Sequence, residues 1–204
     1  MRHALSDSGG LPANIILVRG LPASGKSTLA RAVAAANHLP ILDRDVLKAP
    51  AAQGYLDDVE AGELSYVQLL LLAEQQLALR LGVVVDGPFT KDDLLTPFIT
   101  LGRALNVPVR LIQCVVALDV LQERIRGREG QVTLVQWSGD SGIAKLTKRL
   151  EEDAAARSLL SPRPVAGAEL LAVDTDQPLE RCLEIVQQWL VKAQDKGMLG
   201  SRWS

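Results

Sequence analysis

Short apolar runs rich in β-branched residues alternate with longer segments of helical periodicity along the 204-residue chain. The short runs predict five strands, at residues 14–19, 40–42, 83–85, 109–116 and 170–173. The longer patterns predict helices at residues 26–36, 63–81, 92–105, 119–126, 143–160 and 178–193. Such alternation is typical of an α/β fold, in which helices cover a mostly parallel sheet.

No linker or repeat divides this alternation, so we expect one domain over residues 14–194 with flexible tails at 1–13 and 195–204. The first tail lacks the apolar core of a signal peptide, and the most apolar helix pattern contains polar and charged residues that exclude a membrane span. Cys114 and Cys182 lie in a strand pattern and a helix pattern, which favours two reduced, buried thiols and a cytoplasmic location.

Residues 20–28 match the Gly-x-x-x-x-Gly-Lys-Ser pattern of a phosphate-binding loop, between a predicted strand and a predicted helix. Glycines let successive backbone N–H groups face phosphate oxygens, and the dipole of the following helix favours the same anion. Lys26 is placed to contact the β- and γ-phosphates, and the Ser27 hydroxyl to ligate Mg²⁺. The predicted triphosphate site comprises Gly20, Leu21, Pro22, Ala23, Ser24, Gly25, Lys26, Ser27 and Thr28.

Two aspartates, Asp43 and Asp45, follow the second predicted strand in the segment Leu-Asp-Arg-Asp-Val-Leu-Lys. A carboxylate beside the phosphate loop can orient an attacking hydroxyl or accept its proton. Aspartate is also a good cap for a following helix. The residues by themselves leave both interpretations open.

Residues 14–48 resemble a group of small P-loop kinases that includes phage polynucleotide kinase, the zeta toxins and many bacterial AAA-domain kinases. The resemblance implies a P-loop NTPase three-layer sandwich with a central five-stranded sheet and a helical lid at about 124–142. It also implies that Asp45 is the carboxylate that activates the acceptor, with Asp43 and Lys48 close to the acceptor. Lys48 stands where the group often has an arginine, and a lysine lacks the bidentate fork of arginine.

Three later segments extend the resemblance. The strand 83–85 runs into Asp86, which resembles the group's strand-end aspartate near the metal and the acceptor, although aspartate also initiates turns. Arg124 and Arg128 resemble the arginine pair of the lid helix; they share one helix face, which could close over phosphate charge or remain solvated. Asp174 and Thr175 occupy the loop that lies near the nucleobase in the group, or they form a turn that caps the last helix.

Together these features predict transfer of the γ-phosphate of ATP, with Mg²⁺, to a hydroxyl of a small molecule such as a sugar, nucleoside, nucleotide sugar or antibiotic. A polynucleotide 5′-hydroxyl kinase is the nearest alternative, but it requires a basic channel, and the net charge of −2 offers little beyond Lys48, Arg103 and the arginines of 124–128. A non-catalytic nucleotide sensor is the alternative of another class. Residues 49–62 and 129–140 follow no pattern of the group, and we expect both to contribute to the acceptor pocket.

Overall fold

A single parallel sheet forms the centre of the computed structural model, which describes residues 13–53, 56–128 and 137–200, the last helix only by its backbone beyond residue 192. Its strands are Ile15–Arg19 (β1), Ile41–Asp43 (β2), Val83–Asp86 (β3), Val109–Val115 (β4) and Glu169–Asp174 (β5). All neighbouring strands are parallel, in the order β2-β3-β1-β4-β5. The predicted five-stranded, mostly parallel sheet is confirmed.

Helices cover both faces of this sheet. They are Lys26–Ala36 (α1), Arg44–Ala52 (α2), Asp58–Ala78 (α3), Thr96–Leu105 (α4), Leu118–Arg126 (α5), Gly139–Glu152 (α6), Ala154–Arg157 (α7) and Leu179–Gly200 (α8), with short 3₁₀ turns at Asp92–Leu94 and Ser158–Leu160. Alternate residues of β1 face opposite layers: Ile15 and Leu17 pack with α3 and α4, whereas Ile16 and Val18 pack with α1 and α8. Because both faces are apolar, β1 is a fully buried central strand of a three-layer sandwich.

The segment after β2 is the helix α2, which begins at Arg44. Asp43 lies at the N-cap of α2, and its side chain accepts a hydrogen bond from the Asp45 N–H at 3.0 Å. The next helix, α3, begins at Asp58 instead of the predicted residue 63. Asp57 and Glu60 form a capping box that accounts for the earlier start.

The predicted helix at 143–160 begins earlier than expected and is interrupted at Asp153. Its first part, α6, begins at Gly139, and Gly142 lies so close to α5 that a Cβ there would approach Ile125 Cγ2 to 2.8 Å. The helix stops at Asp153, whose backbone is extended and whose side chain accepts hydrogen bonds from the next N–H groups at 2.9 and 3.2 Å. This aspartate therefore ends one helix and caps another.

Other boundaries differ at the ends of the elements. The predicted helix at 92–105 divides into a 3₁₀ turn and α4, which has Pro97 in its first turn. The last helix, α8, continues to Gly200, beyond the predicted end at 193. Within the part of the chain that the structure describes, no helix combines the length and the apolar character needed to cross a membrane.

Both cysteines are free and buried, as the sequence predicted. Cys114 lies in β4, and burial raises the pKa of its thiol to about 12. Cys182 lies near the start of α8, where burial likewise raises the pKa of the thiol. Neither thiol is therefore a thiolate at neutral pH.

Candidate active site

The phosphate-binding loop lies between the buried strand β1 and helix α1. Ala23 and Gly25 adopt left-handed backbone conformations, with φ of 64° and 79°. Such turns point successive N–H groups into one concavity, which binds anions. Gly20 is needed for a close approach, because a Cβ there would contact the Ser24 hydroxyl and lie 3.1 Å from the Cys114 carbonyl oxygen. The local backbone therefore has the form of an anion nest.

The base of this loop is fixed by Arg19, a residue that the sequence analysis missed. Its guanidinium is fully buried and donates to Gln113 Oε1 at 2.7 and 3.2 Å and to the Arg163 carbonyl oxygen. Burial lowers the pKa of Arg19 to about 10, with a smaller contribution from Arg163, whereas Asp92 acts in the opposite direction. The group stays charged at neutral pH. It ties the end of β1 to β4 and to the segment after α7.

Asp86 lies at the end of β3, and its register partners are Val18 of β1 and Asp43 of β2. The side chain is 2 % exposed, and its Oδ1 has no hydrogen-bond partner among the described residues. Burial raises the pKa of the carboxyl, while the charge of Lys26 and a hydrogen bond from the Ser27 hydroxyl lower it. The predicted neighbours Lys26, Ser27 and Asp86 are therefore together at the sheet edge.

An unpartnered, buried carboxylate oxygen beside a serine hydroxyl suits a hard divalent cation. Mg²⁺ is normally bound by one or two protein oxygens, with water and phosphate oxygens completing its coordination. In the residues described, no group of three or more His, Cys, Asp or Glu side chains could hold a metal ion. The Ser27 hydroxyl and the Asp86 carboxylate supply two oxygens of the kind that Mg²⁺ prefers.

The two aspartates after β2 have different surroundings. Asp43 caps α2 and also pairs with Arg31 at 3.1 Å. Asp45 lies in the first turn of α2, half-buried, with its Oδ1 3.4 Å from Arg44 Nη1. Lys48, one turn further, pairs with Asp58 at 2.5 Å. The capping interpretation thus describes Asp43, whereas the Asp45 carboxylate is turned toward a cavity.

That cavity has a volume of about 780 Å³ and is called the acceptor-side cavity below. Lys26 and Asp45 both line it, together with the segment 88–94 and parts of α3 and α6. Several residues of 49–62 contribute, as expected, and Trp137 does too; residues 129–136 lie outside the described part of the chain. The sequence analysis missed four lining residues: Arg44, which lies directly before Asp45, and Tyr66, Lys145 and Arg149, which come from α3 and α6.

A second cavity of about 480 Å³ lies on the other side of the phosphate loop and is called the nucleotide-side cavity. Gly25, Thr28, Thr175 and both predicted lid arginines line it. Thr175 donates from its hydroxyl to the Ser24 carbonyl oxygen at 2.6 Å, a direct link between the loop after β5 and the phosphate loop. Thr175 therefore contacts the phosphate loop through its side chain.

The predicted arginines approach the same loop. Arg124 donates to the Thr175 carbonyl oxygen at 2.7 Å and lies 3.4 Å from Asp176 Oδ1. Arg128 is close to Arg124, and burial, followed by that neighbouring charge, lowers its pKa. Asp174 is exposed and accepts a hydrogen bond from the Asp176 N–H at 3.0 Å, which is the turn geometry that the sequence left open.

A parallel sheet of this order, an anion nest between β1 and α1, and a buried aspartate at the end of β3 define a P-loop nucleoside-triphosphate-binding protein. The sequence model of the AAA domain family matches residues 15–141. The chain belongs to this family. Comparison with curated proteins gives no match.

Solved structures share the fold. A protein from Chloroflexus aurantiacus J-10-fl, described as a kinase by inference, is 26% identical with a TM-score of 0.66, over 87% of this chain and 98% of its own. A gluconokinase from Sinorhizobium meliloti 1021 is 21% identical with a TM-score of 0.59, over 95% and 99%. A sugar kinase from Janibacter sp. HTCC2649 is 16% identical with a TM-score of 0.63, over 88% and 95%. The predicted likeness to small P-loop kinases is confirmed.

Proposed function

We propose that this protein is a phosphotransferase that uses ATP and Mg²⁺ to phosphorylate a hydroxyl group of a small molecule. The main observation in support is that Lys26 and Asp45 line one cavity, whereas Thr28 and Thr175 line a second cavity across the phosphate loop. Two substrates could therefore approach the loop from opposite sides. The kinases of the same fold, which include a gluconokinase and a sugar kinase, support this assignment.

In this proposal the nucleotide occupies the nucleotide-side cavity. The N–H groups of residues 20–28 and the Lys26 ammonium hold the β- and γ-phosphates, and Thr175 lies beside the nucleoside. Arg124 and Arg128 close on the triphosphate, so that their charges offset the charge that develops on the transferred group. Ser27 and Asp86 hold Mg²⁺, which neutralises phosphate charge when it is bound.

The acceptor occupies the acceptor-side cavity, where Asp45 orients its hydroxyl. The hydroxyl oxygen forms a bond to the γ-phosphorus while the bond from that phosphorus to the bridging oxygen breaks, which leaves ADP. The proton of the hydroxyl passes to Asp45 and then to solvent. Asp45 is a weak base, so its main contribution is to position the hydroxyl.

The polynucleotide alternative is less well supported. Arg103, one of its candidate channel residues, lies in the last turn of α4 and is not among the described residues that line either cavity. Lys48 is paired with Asp58. A cytoplasmic location belongs to the same proposal, because both described cysteines are free. The division into one domain at 14–194 with two tails is also part of this proposal.

The substitution Asp45→Asn tests the proposal because it keeps the shape and removes the charge. We expect ATP affinity, measured by calorimetry with Mg²⁺, to be unchanged, and phosphoryl transfer to fall about 10² to 10⁴-fold. Transfer is measured with labelled ATP against polyols, sugars, nucleosides, aminoglycosides and a 5′-hydroxyl oligonucleotide. Asp119→Asn, on the exposed side of α5, is the matched control.

Two results would contradict the proposal. Failure of millimolar ATP with Mg²⁺ to bind the wild-type protein would remove the nucleotide site. Slow ATP hydrolysis that Asp45→Asn leaves unchanged, with no acceptor phosphorylated, would favour a nucleotide sensor.

A further inference from the structure

Two arginines, Arg44 and Arg149, line the acceptor-side cavity together with Tyr66. The Arg44 Cζ atom lies 5.0 Å from the centroid of the Tyr66 ring, a cation–π contact that fixes the guanidinium plane. Arg149, from α6, lines the same cavity, and its charge acts on the Tyr66 phenol together with that of Arg44. Side chains from α2, α3 and α6 thus line the same cavity, and the charges of both arginines act on the Tyr66 phenol.

Arg44 keeps donor capacity in this position. Its side chain is only 14 % exposed, and its Nε has no hydrogen-bond partner in the part of the chain that is described. Its one ionic contact, to Asp45, is long at 3.4 Å. A buried guanidinium with an unused N–H costs free energy unless a further acceptor arrives.

The Tyr66 hydroxyl offers a hydrogen-bond donor in addition to the guanidinium groups of Arg44 and Arg149. Its oxygen accepts a hydrogen bond from the Phe89 N–H at 3.1 Å, which directs the hydroxyl hydrogen elsewhere. Burial raises the pKa of this phenol, although the charge of Arg44 acts in the opposite direction. Tyr66 therefore keeps its proton at neutral pH.

Cations outnumber carboxylates around this cavity. Its described lining contains six lysine or arginine residues and four aspartate or glutamate residues. The Lys48–Asp58 pair takes up one of each, and Lys26 serves the phosphates in the proposed function, which leaves four cations and three carboxylates. A neutral polyol gains little from desolvated guanidinium groups. A carboxylate or phosphate gains charge-assisted hydrogen bonds of matching geometry.

We propose that the acceptor carries a carboxylate or phosphate group in addition to its reacting hydroxyl, and that Arg44, Arg149 and the Tyr66 hydroxyl bind this group. The inference rests on the proposed function of the same site. Because Arg44 also contacts Asp45, the bound anion fixes the acceptor beside the carboxylate that orients its hydroxyl. The group therefore determines which hydroxyl compounds are substrates.

The first test uses sulfate as a probe while the phosphate loop is occupied. The protein is saturated with the non-hydrolysable analogue AppNHp and Mg²⁺, so that the nest cannot bind the probe, and sulfate is then titrated by calorimetry. We expect millimolar binding by the wild-type protein, about tenfold weaker binding by Arg149→Met, and partial recovery in Arg149→Lys. Arg181→Met, an exposed pair partner of Glu184 on α8, should bind as the wild type does.

The second test compares acceptors in matched sets: glycerol with glycerate and glycerol phosphate, and glucose with gluconate and glucose 6-phosphate. We expect the anionic members to have kcat/KM at least tenfold above their neutral partners, an advantage that Arg149→Met removes. The carboxylate and phosphate members distinguish the two anion sources.

The outcomes distinguish a failure of the anion subsite from a failure of the proposed kinase activity. The anion subsite is refuted, and the kinase assignment stands, if AppNHp binds but sulfate does not. The same conclusion follows if neutral acceptors are phosphorylated with the same kcat/KM as anionic ones. If AppNHp itself fails to bind, the proposed function fails, and the subsite fails with it.

Discussion

Replacement of Asp86 by asparagine should stabilise this protein in the absence of nucleotide. The carboxylate is 2 % exposed, and one of its oxygens has no partner among the described residues. Burial is the largest influence on the pKa of this carboxyl, and together with the charges of Asp43 and Asp45 it outweighs Lys26 and Ser27, so that the pKa is raised. Asparagine has the same shape and no charge, so it removes this unfavourable term.

An unpartnered buried oxygen costs more on a carboxylate than on a neutral amide, and we take the difference to be comparable to the cost of one unsatisfied buried group, about 1–3 kcal/mol. For a domain of this length, 1 kcal/mol shifts the melting temperature by about 2–4 °C. We therefore expect Asp86→Asn to melt roughly 2–12 °C above the wild type at pH 8 without nucleotide, as measured by calorimetry or by dye fluorescence.

The dependence on pH gives the sign of the effect independently. Because the pKa of Asp86 is raised on folding, its stabilising contribution is complete below the ordinary aspartate pKa of 3.8 and is lost as the pH rises through the raised value. The asparagine variant has no such loss. Its advantage over the wild type should therefore be larger at pH 8 than at pH 5.

Nucleotide should reverse the ranking of the two proteins. A ligand at one thousand times its dissociation constant stabilises the folded state by about 4.1 kcal/mol, which exceeds the advantage of about 1–3 kcal/mol expected for the asparagine variant. We expect ATP with Mg²⁺ to provide such stabilisation to the wild type and little of it to Asp86→Asn, because the variant lacks the anionic ligand for the metal.

A control and a contrary result complete this test. Asp119→Asn removes an exposed carboxylate on α5 and should leave the melting temperature and its pH dependence unchanged. If Asp86→Asn melts at or below the wild-type temperature without nucleotide at pH 8, burial of this carboxylate does not cost free energy, and the argument for Asp86 as a metal ligand fails.

Two further substitutions probe the scaffold. Thr175→Val removes the hydroxyl that donates to the Ser24 carbonyl oxygen at 2.6 Å, so the unfolding free energy should fall by about 1–3 kcal/mol and ATP affinity should fall with it. Thr175→Ser should restore both. Equal ATP affinity in the valine variant would show that this hydrogen bond does not support the phosphate loop. Gly102→Ala places a Cβ 2.8 Å from the Val107 carbonyl oxygen and against Val109. Chemical denaturation should therefore show an unfolding free energy lower by about 1–3 kcal/mol, despite the better helix propensity of alanine. An unchanged denaturation midpoint would show that α4 can shift to accommodate the Cβ.

Much of the active-site layout could be predicted because it is local in sequence. Residues 20–28 carry their own geometry, since the glycines, the lysine and the following helix act over a few residues. Asp86 was found through the resemblance of its strand end to that of the small P-loop kinases, and its register places it beside Val18 and Asp43. Arg19 could not be found, because an arginine at the end of an apolar strand gives no sign of a buried partner such as Gln113.

The acceptor side was much less predictable. Arg44, Tyr66 and Arg149 lie on three helices, and their neighbourhood is produced only by the packing of α2, α3 and α6 around the cavity. Similarly, Asp43 and Asp45 have the same side chain and nearly the same place in sequence, yet one accepts a hydrogen bond from the N–H of the other. Propensity could not separate the cap from the cavity-lining carboxylate.

The amino-acid sequence by itself determined the alternation of strands and helices, the parallel sheet and the phosphate-binding loop. Each of these follows from interactions between residues close in the chain or from the burial of a periodic apolar face. The tertiary structure alone decided which charges meet across the acceptor-side cavity. Such contacts depend on how helices pack, and helix packing is set by the shapes of many side chains that no local pattern specifies.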